Sequence, residues 1–552
     1  MSSALSAGTV IRKAGDAALS INAMVRGGLV NPLRLDHAVK SALNIAKFGP
    51  FAGALIHGAT TNPKSAAIVD ERGEMTFEQL DKQSSAIARG LAARGIEPGD
   101  VIGVLARDHR GMVLTLVAAG KLGVRTVLMN TGFAKPQFAD VSAREKVKAV
   151  LHDSEFFDLM SAIPEDIPRV LTWVDEKDDA DPSIPTLETL AAGQSTAPLT
   201  PPASPGGMVI LTSGTTGTPK GAPRDKVSPF ITAQFLDRIP LPRNSTVVMA
   251  APIFHATGLS QFTISIALGN RVVFQQRRFD PETTLANIQK YRAQGLTVVP
   301  TMIQRILDLP PETLAKYQPS ETLRVLFAAG SAIPPDVVTR ALDYFGDSLY
   351  NLYGSTECAV ITVATPKELR KNPTTAGRAP VGIRIALYDE NRKRITAPNV
   401  TGTIFIENSH SFKQYTDGRT KESVDGLISS GDVGHFDTDG MLFIDGRDDD
   451  MIVSGGENVF PQEVENLLSN RHDVFEAAVV GVDDREFGKR LRAIVVPGPD
   501  SARDAQEIKD YVKANLARYK VPREVIFLDE LPRNATGKLL RKPLIEMSVP
   551  TE

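Results

Sequence analysis

The sequence predicts an α/β fold: a large N-terminal α/β domain with a β-rich part, followed by a small α+β C-terminal domain. Three observations carry this expectation. The chain has 552 residues, more than one hydrophobic core organises, and an ordinary globular composition of 42% hydrophobic and 23% charged residues. Short apolar runs alternate with helix-patterned runs over most of its length. After about residue 400 short strands and turns replace that alternation.

The elements follow in order. Residues 1–50 carry six Lys/Arg against two Asp, with Val10, Ile11, Ala14, Ala18, Leu19 and Ile21 at roughly helical spacing. Such a basic amphipathic segment suits an anionic membrane surface, or equally helices packed on the main body. Asp70–Glu74 reads as a turn, and Thr76-x-x-Gln79 as a capping box opening a helix with Leu80, Ile87 and Leu91 on one face. Val101–Ala106 is an apolar strand, 111–122 a helix and Val124–Met129 a second strand, the order of parallel α/β structure. Further strands are expected at Val247–Ala251, Val272–Gln275, Thr297–Val299 and Val325–Ala329. DEKDDAD at 175–181 is an acidic surface run, and the Pro/Ser/Thr-rich 196–205 an exposed loop. Strands Gly402–Glu407 and Gly440–Asp445 precede the charged turn Gly446–Asp450. A helix (461–469), a strand (477–482), a helix (505–517) and a strand (524–528) make up the small unit.

Bulk charge narrows the partners. The net charge is −3, so nothing global pulls toward nucleic acid. The single cysteine, Cys358, excludes an intramolecular disulfide framework and a cysteine metal cluster, in keeping with a reducing, cytoplasmic setting. No apolar run is long enough to span a bilayer, and no uninterrupted apolar region follows Arg12 and Lys13, so a cleaved signal peptide is not expected. The alternative to a freely cytoplasmic protein is peripheral contact with a membrane through the basic N-terminal segment. The oligomeric state is not legible.

Residues 211–221, LTSGTTGTPKG, follow the apolar run Met208–Ile210. Backbone N–H groups of such a loop can converge on an anion, hydroxyls add donors, and Lys220 adds a cation. The P-loop of kinases and ATPases does not fit: Pro219 precedes the lysine, and Gly221 stands where a magnesium-holding Ser/Thr is needed. The loop is expected to be a phosphate site of another kind, favoured over a plain linker because so many hydroxyls and glycines directly follow an apolar strand.

This stretch resembles the AMP-binding signature of the adenylate-forming superfamily, in its acyl-CoA synthetase branch. Further blocks follow in that family's order: Pro252–Gly258, Ala328–Pro334, Tyr353-Gly-Ser-Thr-Glu357, Gly377–Gly382, Ser430–Gly434, Gly446–Pro461 and Leu531–Lys538. The resemblance covers roughly residues 60–545. It implies an N-terminal extension at 1–55, an AMP-binding domain at 56–446, a hinge at 447–450 and a mobile C-terminal lid at 451–552.

The resemblance also implies a chemistry and its residues. A carboxylic acid attacks the α-phosphorus of ATP, giving an acyl-AMP and pyrophosphate; coenzyme A then takes the acyl group and AMP leaves. Thr212, Ser213, Gly214, Thr215, Thr216, Gly217 and Lys220 would hold the β- and γ-phosphates. Gly330 and Ser331 would allow close approach to adenine, Tyr353 would give it a flat face, and Gly354, Ser355 and Thr356 would lie along the nucleotide. Glu357 would bind Mg²⁺, Asp432 both ribose hydroxyls, and Arg447 ribose or phosphate. Lys538 would be the catalytic lysine of adenylation. Asp449 would be the hinge, and Gly455 and Gly456 would meet coenzyme A. His255 would orient the carboxylate or gate the thiol, with a packed structural histidine as the plain alternative. Phe254, Ala256, Gly258, Met302 and Cys358 would line the acyl pocket; Cys358 reads as a small apolar filler and not a nucleophile.

Histidine stands where amino-acid-activating relatives place an aspartate, so an α-amino acid is not expected as substrate. Small and apolar pocket candidates point to a medium- or long-chain fatty acid. An aryl acid, or an acyl-AMP ligase loading an acyl carrier protein, are the alternatives within the class. A non-catalytic nucleotide- or lipid-binding relative is the alternative outside it, and it would be expected to lack Lys538 or Glu357; both are present.

Overall fold

The computed structural model describes residues 7–547, apart from 176, 178–180, 213–219, 225–229, 277, 356, 409–419, 448–451, 455–456, 485–487, 500, 502, 517–519 and 534–537. Four sheets organise the chain. The first runs in the order 359–364, 349–355, 325–329, 295–298, 246–249, 271–274, 66–70 and 73–76, parallel except for the antiparallel strand at each edge. The second runs 169–173, 149–153, 101–105, 125–128, 208–212 and 220–224, parallel up to its last antiparallel pair.

The helices explain why these sheets lie together. Thr76 and Gln79 exchange the two hydrogen bonds of a capping box and start helix Phe77–Ala92. That helix, helix Arg110–Leu122 and part of α2 (Leu35–Thr61) pack between the two sheets, in one core holding Ile68 and Val272 from the first and Ile102 and Leu128 from the second. Helices 281–290, 300–307 and 335–345 cover the other face of the first sheet. Strand 325–329, VLFAA, is buried and apolar on both faces, as a parallel sheet covered on both sides requires.

An antiparallel sheet follows, in the order 375–377, 442–447, 427–436, 402–407, 384–388 and 394–395, with 423–424 on strand 427–436. The last sheet joins 457–459, 452–454, 488–497 and 474–484, with 524–527 parallel to 488–497. Helices Pro461–Ser469 and Ala505–Asn515 cover one face of it and helix Arg541–Glu546 the other.

The N-terminal segment is helical. α1 (Ala7–Arg26) packs through Ala23 and Met24 on Ala233 of helix Ile231–Arg238. α2 is broken at Gly49, whose φ of 83° is a left-handed value that glycine tolerates, and Pro50 follows. Beyond the break Phe51 stacks on Phe262, with ring centroids 5.2 Å apart, which fastens α2 to helix Ala256–Ala267. Among the described residues no helix is long and apolar enough to cross a membrane.

Candidate active site

The C-terminal ends of the parallel strands face a cavity of about 2000 Å³. Crevices at that end are where open α/β sheets bind ligands. Gly330 follows strand 325–329 with a φ of 114°; an added Cβ would touch nothing closer than 3.7 Å, so backbone conformation and not crowding calls for glycine. Gly354 is the opposite case: its Cβ would lie 2.1 Å from the carbonyl oxygen of Ala359. The pairing of strands 349–355 and 359–364 shifts register between Tyr353 and Gly354.

Tyr353 reaches across to the antiparallel sheet, where its hydroxyl donates to Asp432 Oδ2 at 2.5 Å. Burial, and then the Asp432 charge, hold the phenol far above its ordinary pKa, so it stays a donor. Asp432 stands opposite Arg447 in the register of strands 427–436 and 442–447, with the guanidinium 4.0 Å from its carboxylate. Asp432 N–H donates to Ser430 Oγ at 3.1 Å, and Lys421 Nζ donates to the Ser430 carbonyl at 3.2 Å. A flat ring and a carboxylate in one fixed pair match a purine and the paired hydroxyls of a ribose.

Gly330, Ser331, Gly354, Ser355 and Glu357 line the same cavity. So does Lys538, carried in from the C-terminal domain just before Leu539, which bridges to Arg533. Glu357 offers one carboxylate to the cavity, the kind of ligand that would hold Mg²⁺ together with phosphate and water oxygens. Among the described residues no group of three or more His, Cys, Asp or Glu could hold a metal by itself.

Of the phosphate loop, Ser213, Gly214, Thr215, Thr216 and Gly217 lie outside the described residues. Its flanks are described in backbone: Thr212 and Lys220 pair directly as strands 208–212 and 220–224 form a hairpin. Thr356, Asp449, Gly455 and Gly456 also lie outside.

The apolar end begins at His255, the N-terminal flank of helix 256–267. Its ring faces the cavity, and Nε2 is buried without a hydrogen-bond partner. Burial lowers its pKa to about 4, so the imidazole is neutral at pH 7 and free to donate or accept one hydrogen bond. Phe254 packs against that ring, centroids 4.3 Å apart. Ala256, Ser260, Thr263 and Ala267 also line the cavity; their spacing of four, three and four places them on one helix face, about 16 Å long at 1.5 Å per residue. Met302 of helix 300–307 also lines the cavity.

Two pocket expectations need correction. Cys358 is fully buried with Ile361, Leu387 and Ile406, between the sheets and not on the cavity. Ala359 has a φ of 58°, and this turn leaves Ala359 and Val360 on the cavity and Cys358 behind them. Burial raises the thiol pKa to about 11, which rules out a thiolate at neutral pH. Gly258 is likewise not on the wall: its Cβ would lie 2.1 Å from the Pro252 carbonyl oxygen, so it lets the helix start close to that loop.

Two residues carry weight that no motif announced. Asp108 faces the cavity and accepts the Ile253 N–H at 3.0 Å, which fixes the loop that presents His255. Burial pushes its pKa up to about 7. Asn408 donates to the carbonyls of Cys358 and Val360, both at 3.0 Å, holding the kinked start of strand 359–364. Each lies far in sequence from the segment it holds, beyond the reach of local pattern.

Known proteins resemble this chain over most of its length. The family model of the AMP-binding enzyme matches residues 55–416, and that of the AMP-binding enzyme C-terminal domain residues 463–538. The chain belongs to the AMP-binding enzyme family. It has the adenylate-forming fold, with a large N-terminal α/β domain and a smaller C-terminal one. It is 30% identical over 493 residues to the indoleacetate–CoA ligase of Aromatoleum aromaticum, covering 87% of this chain and 94% of that one. It is 28% identical over 498 residues to a fatty acid–[acyl-carrier-protein] ligase of Streptomyces coeruleorubidus, covering 88% and 94%. The o-succinylbenzoate CoA synthetase of Bacillus subtilis, solved with its acyl-adenylate intermediate, superposes with a TM-score of 0.76 at 27% identity, covering 90% of this chain and 98% of that one.

Proposed function

We propose that this member of the family is an AMP-forming acid–thiol ligase that joins an apolar carboxylic acid to coenzyme A. The observation that carries the reading is the continuity of one cavity that holds the Tyr353–Asp432 pair, Lys538, the orphaned Nε2 of His255 and the small-residue face of helix 256–267.

The chemistry follows from what each end offers. A carboxylate is a poor electrophile, and its charge is repelled by a polyphosphate. Tyr353 and Asp432 hold the nucleoside, so the α-phosphate lies between them and the acid. Lys538 places a cation where the carboxylate oxygen and the α-phosphate meet, offsetting that repulsion as the new P–O bond forms and the bond to the β-phosphate oxygen breaks. Glu357 would hold Mg²⁺, which neutralises phosphate charge when bound. Neutral His255 orients the acid by one hydrogen bond, without an acid–base role. In the second half-reaction the thiol sulfur attacks the acyl carbon and AMP leaves with the carboxylate-derived oxygen. The hinge at Asp449 and the loop at Gly455 and Gly456 are proposed to serve that step.

For the acid itself, the long face of small residues, whose Ser260 and Thr263 hydroxyls are tied back to the Thr257 and Leu259 carbonyls, supports a fatty acid. A second reading, an aryl acid, is supported by relatives named for indoleacetate and o-succinylbenzoate. A panel of alkanoic, arylacetic and cinnamic acids, followed by pyrophosphate and AMP release with and without coenzyme A, tests the whole reading. Acid-dependent release of both with coenzyme A is expected. Turnover without acid sinks it, and acyl-AMP accumulation indifferent to coenzyme A moves the acceptor to a carrier protein.

A further inference from the structure

We propose that the N-terminal helices form a docking face for an anionic membrane, through which an apolar acid reaches the cavity; the delivery role rests on the apolar-acid reading above, the docking does not. The family model begins at residue 55, so this face lies before the matched residues.

The first half of α2 has two unlike faces. Ala38, Ser41 and Ile45 line the cavity, whereas Leu35, Val39 and Leu43, four residues apart, point to solvent with half or more of their surface exposed. Leu33 just before them is 89% exposed. With Leu19 and Ile21 of α1, six of the eleven exposed large hydrophobics among the described residues fall within residues 19–43 of the sequence. No residue from Leu35 to Lys47 is buried, and the left-handed Gly49 separates this half from the part of α2 in the core. The half-helix thus stands as a thin partition between the cavity and the outside.

Charge selects the occupant. Of the cations in residues 1–50, Arg12, Arg26 and Arg34 are paired with Glu407, Asp237 and Asp36, whereas Lys40 and Lys47 on the half-helix are exposed and stand beside the apolar stripe. A second copy docking face to face would bring like charges together. An anionic lipid surface takes up both the cations and the apolar stripe. Acids of the class proposed above concentrate in that same lipid phase.

Flotation of the full chain with vesicles of phosphatidylcholine alone, or of phosphatidylcholine and phosphatidylglycerol in equal parts, tests the proposal. Binding is expected on the anionic vesicles and about tenfold weaker on the neutral ones. The triple variant Leu35→Ser/Val39→Ser/Leu43→Ser and the double variant Lys40→Glu/Lys47→Glu should each lose about tenfold or more on anionic vesicles. Both should keep wild-type thermal melting and adenylation of a short water-soluble acid. A wild type that does not float, or variants that float as well as wild type, overturns the proposal. A triple variant that turns a dimer into a monomer in light scattering without losing flotation reassigns the face to a second copy. Vesicle binding and melting are read without turnover, so they decide the matter even if no acid proves to be a substrate.

Discussion

The two ends of the cavity are built in different ways. At the nucleotide end, Gly330, Tyr353 and Glu357 sit on or beside strand ends, Asp432 lies mid-strand in 427–436, and a hydrogen bond between two sheets locks ring to carboxylate. At the acyl end the walls are helix faces, one of them from a segment that precedes the family's common domain. Charge chemistry tolerates little displacement and so depends on particular residue types held at fixed distances. An apolar wall needs only shape, and many sequences supply it. The first end therefore speaks for the reaction and the second for the acid.

The largest expected effect breaks the nucleotide end. Lys538→Ala should lower the rate of acyl-AMP formation by about 10²–10³-fold while largely sparing thioester formation from supplied acyl-AMP. Equal losses in the two half-reactions would remove Lys538 from adenylation. Next, Asp432→Ala should raise the KM for ATP by about 10- to 100-fold through loss of charge-assisted hydrogen bonds, with little change in the KM for the acid. An effect confined to the acid would reverse the two ends.

The acyl end should respond in the other currency, selectivity. Thr263→Trp fills the cavity midway along helix 256–267, and kcat/KM for a long alkanoic acid should fall by about 10- to 100-fold with a short acid unaffected. Equal loss for both chain lengths would mean that the acid does not lie along this helix.

The smallest effect is one of stability. Burial raises the Asp108 carboxyl to about pKa 7 in the fold, from an ordinary value near 4. The folded state thus keeps a proton that the unfolded chain gives up between those values. Its stability contribution is present below about pH 4 and is lost as pH rises to about 7. Asp108→Asn retains an acceptor for the Ile253 N–H and removes the titration. Relative to wild type, the variant should gain thermal stability between pH 5 and pH 8; parallel melting profiles would show that the carboxyl is not the titrating group.

The same contrast governs what could be read from the sequence. Strand Val325–Ala329, strand Gly402–Glu407 and helix Pro461–Ser469 were all legible, because periodicity and turn residues bound them locally. Strand Lys220–Arg224 was not: it contains Pro223, and only the edge of a sheet accepts it. Cys358 was misplaced because a single left-handed residue, Ala359, decides which side chains face the cavity. Asp108 and Asn408 act on segments more than 45 residues away, and α2 shows its two faces only once Gly49 breaks it.

The central claim is that the carboxylate attacks the α-phosphorus. Supplying the substrate acid with both carboxylate oxygens as ¹⁸O, together with ATP and coenzyme A, and measuring the products by mass spectrometry tests it most directly. The account predicts one ¹⁸O in each AMP and none in pyrophosphate. Label in phosphate or pyrophosphate, or unlabelled AMP, would contradict it.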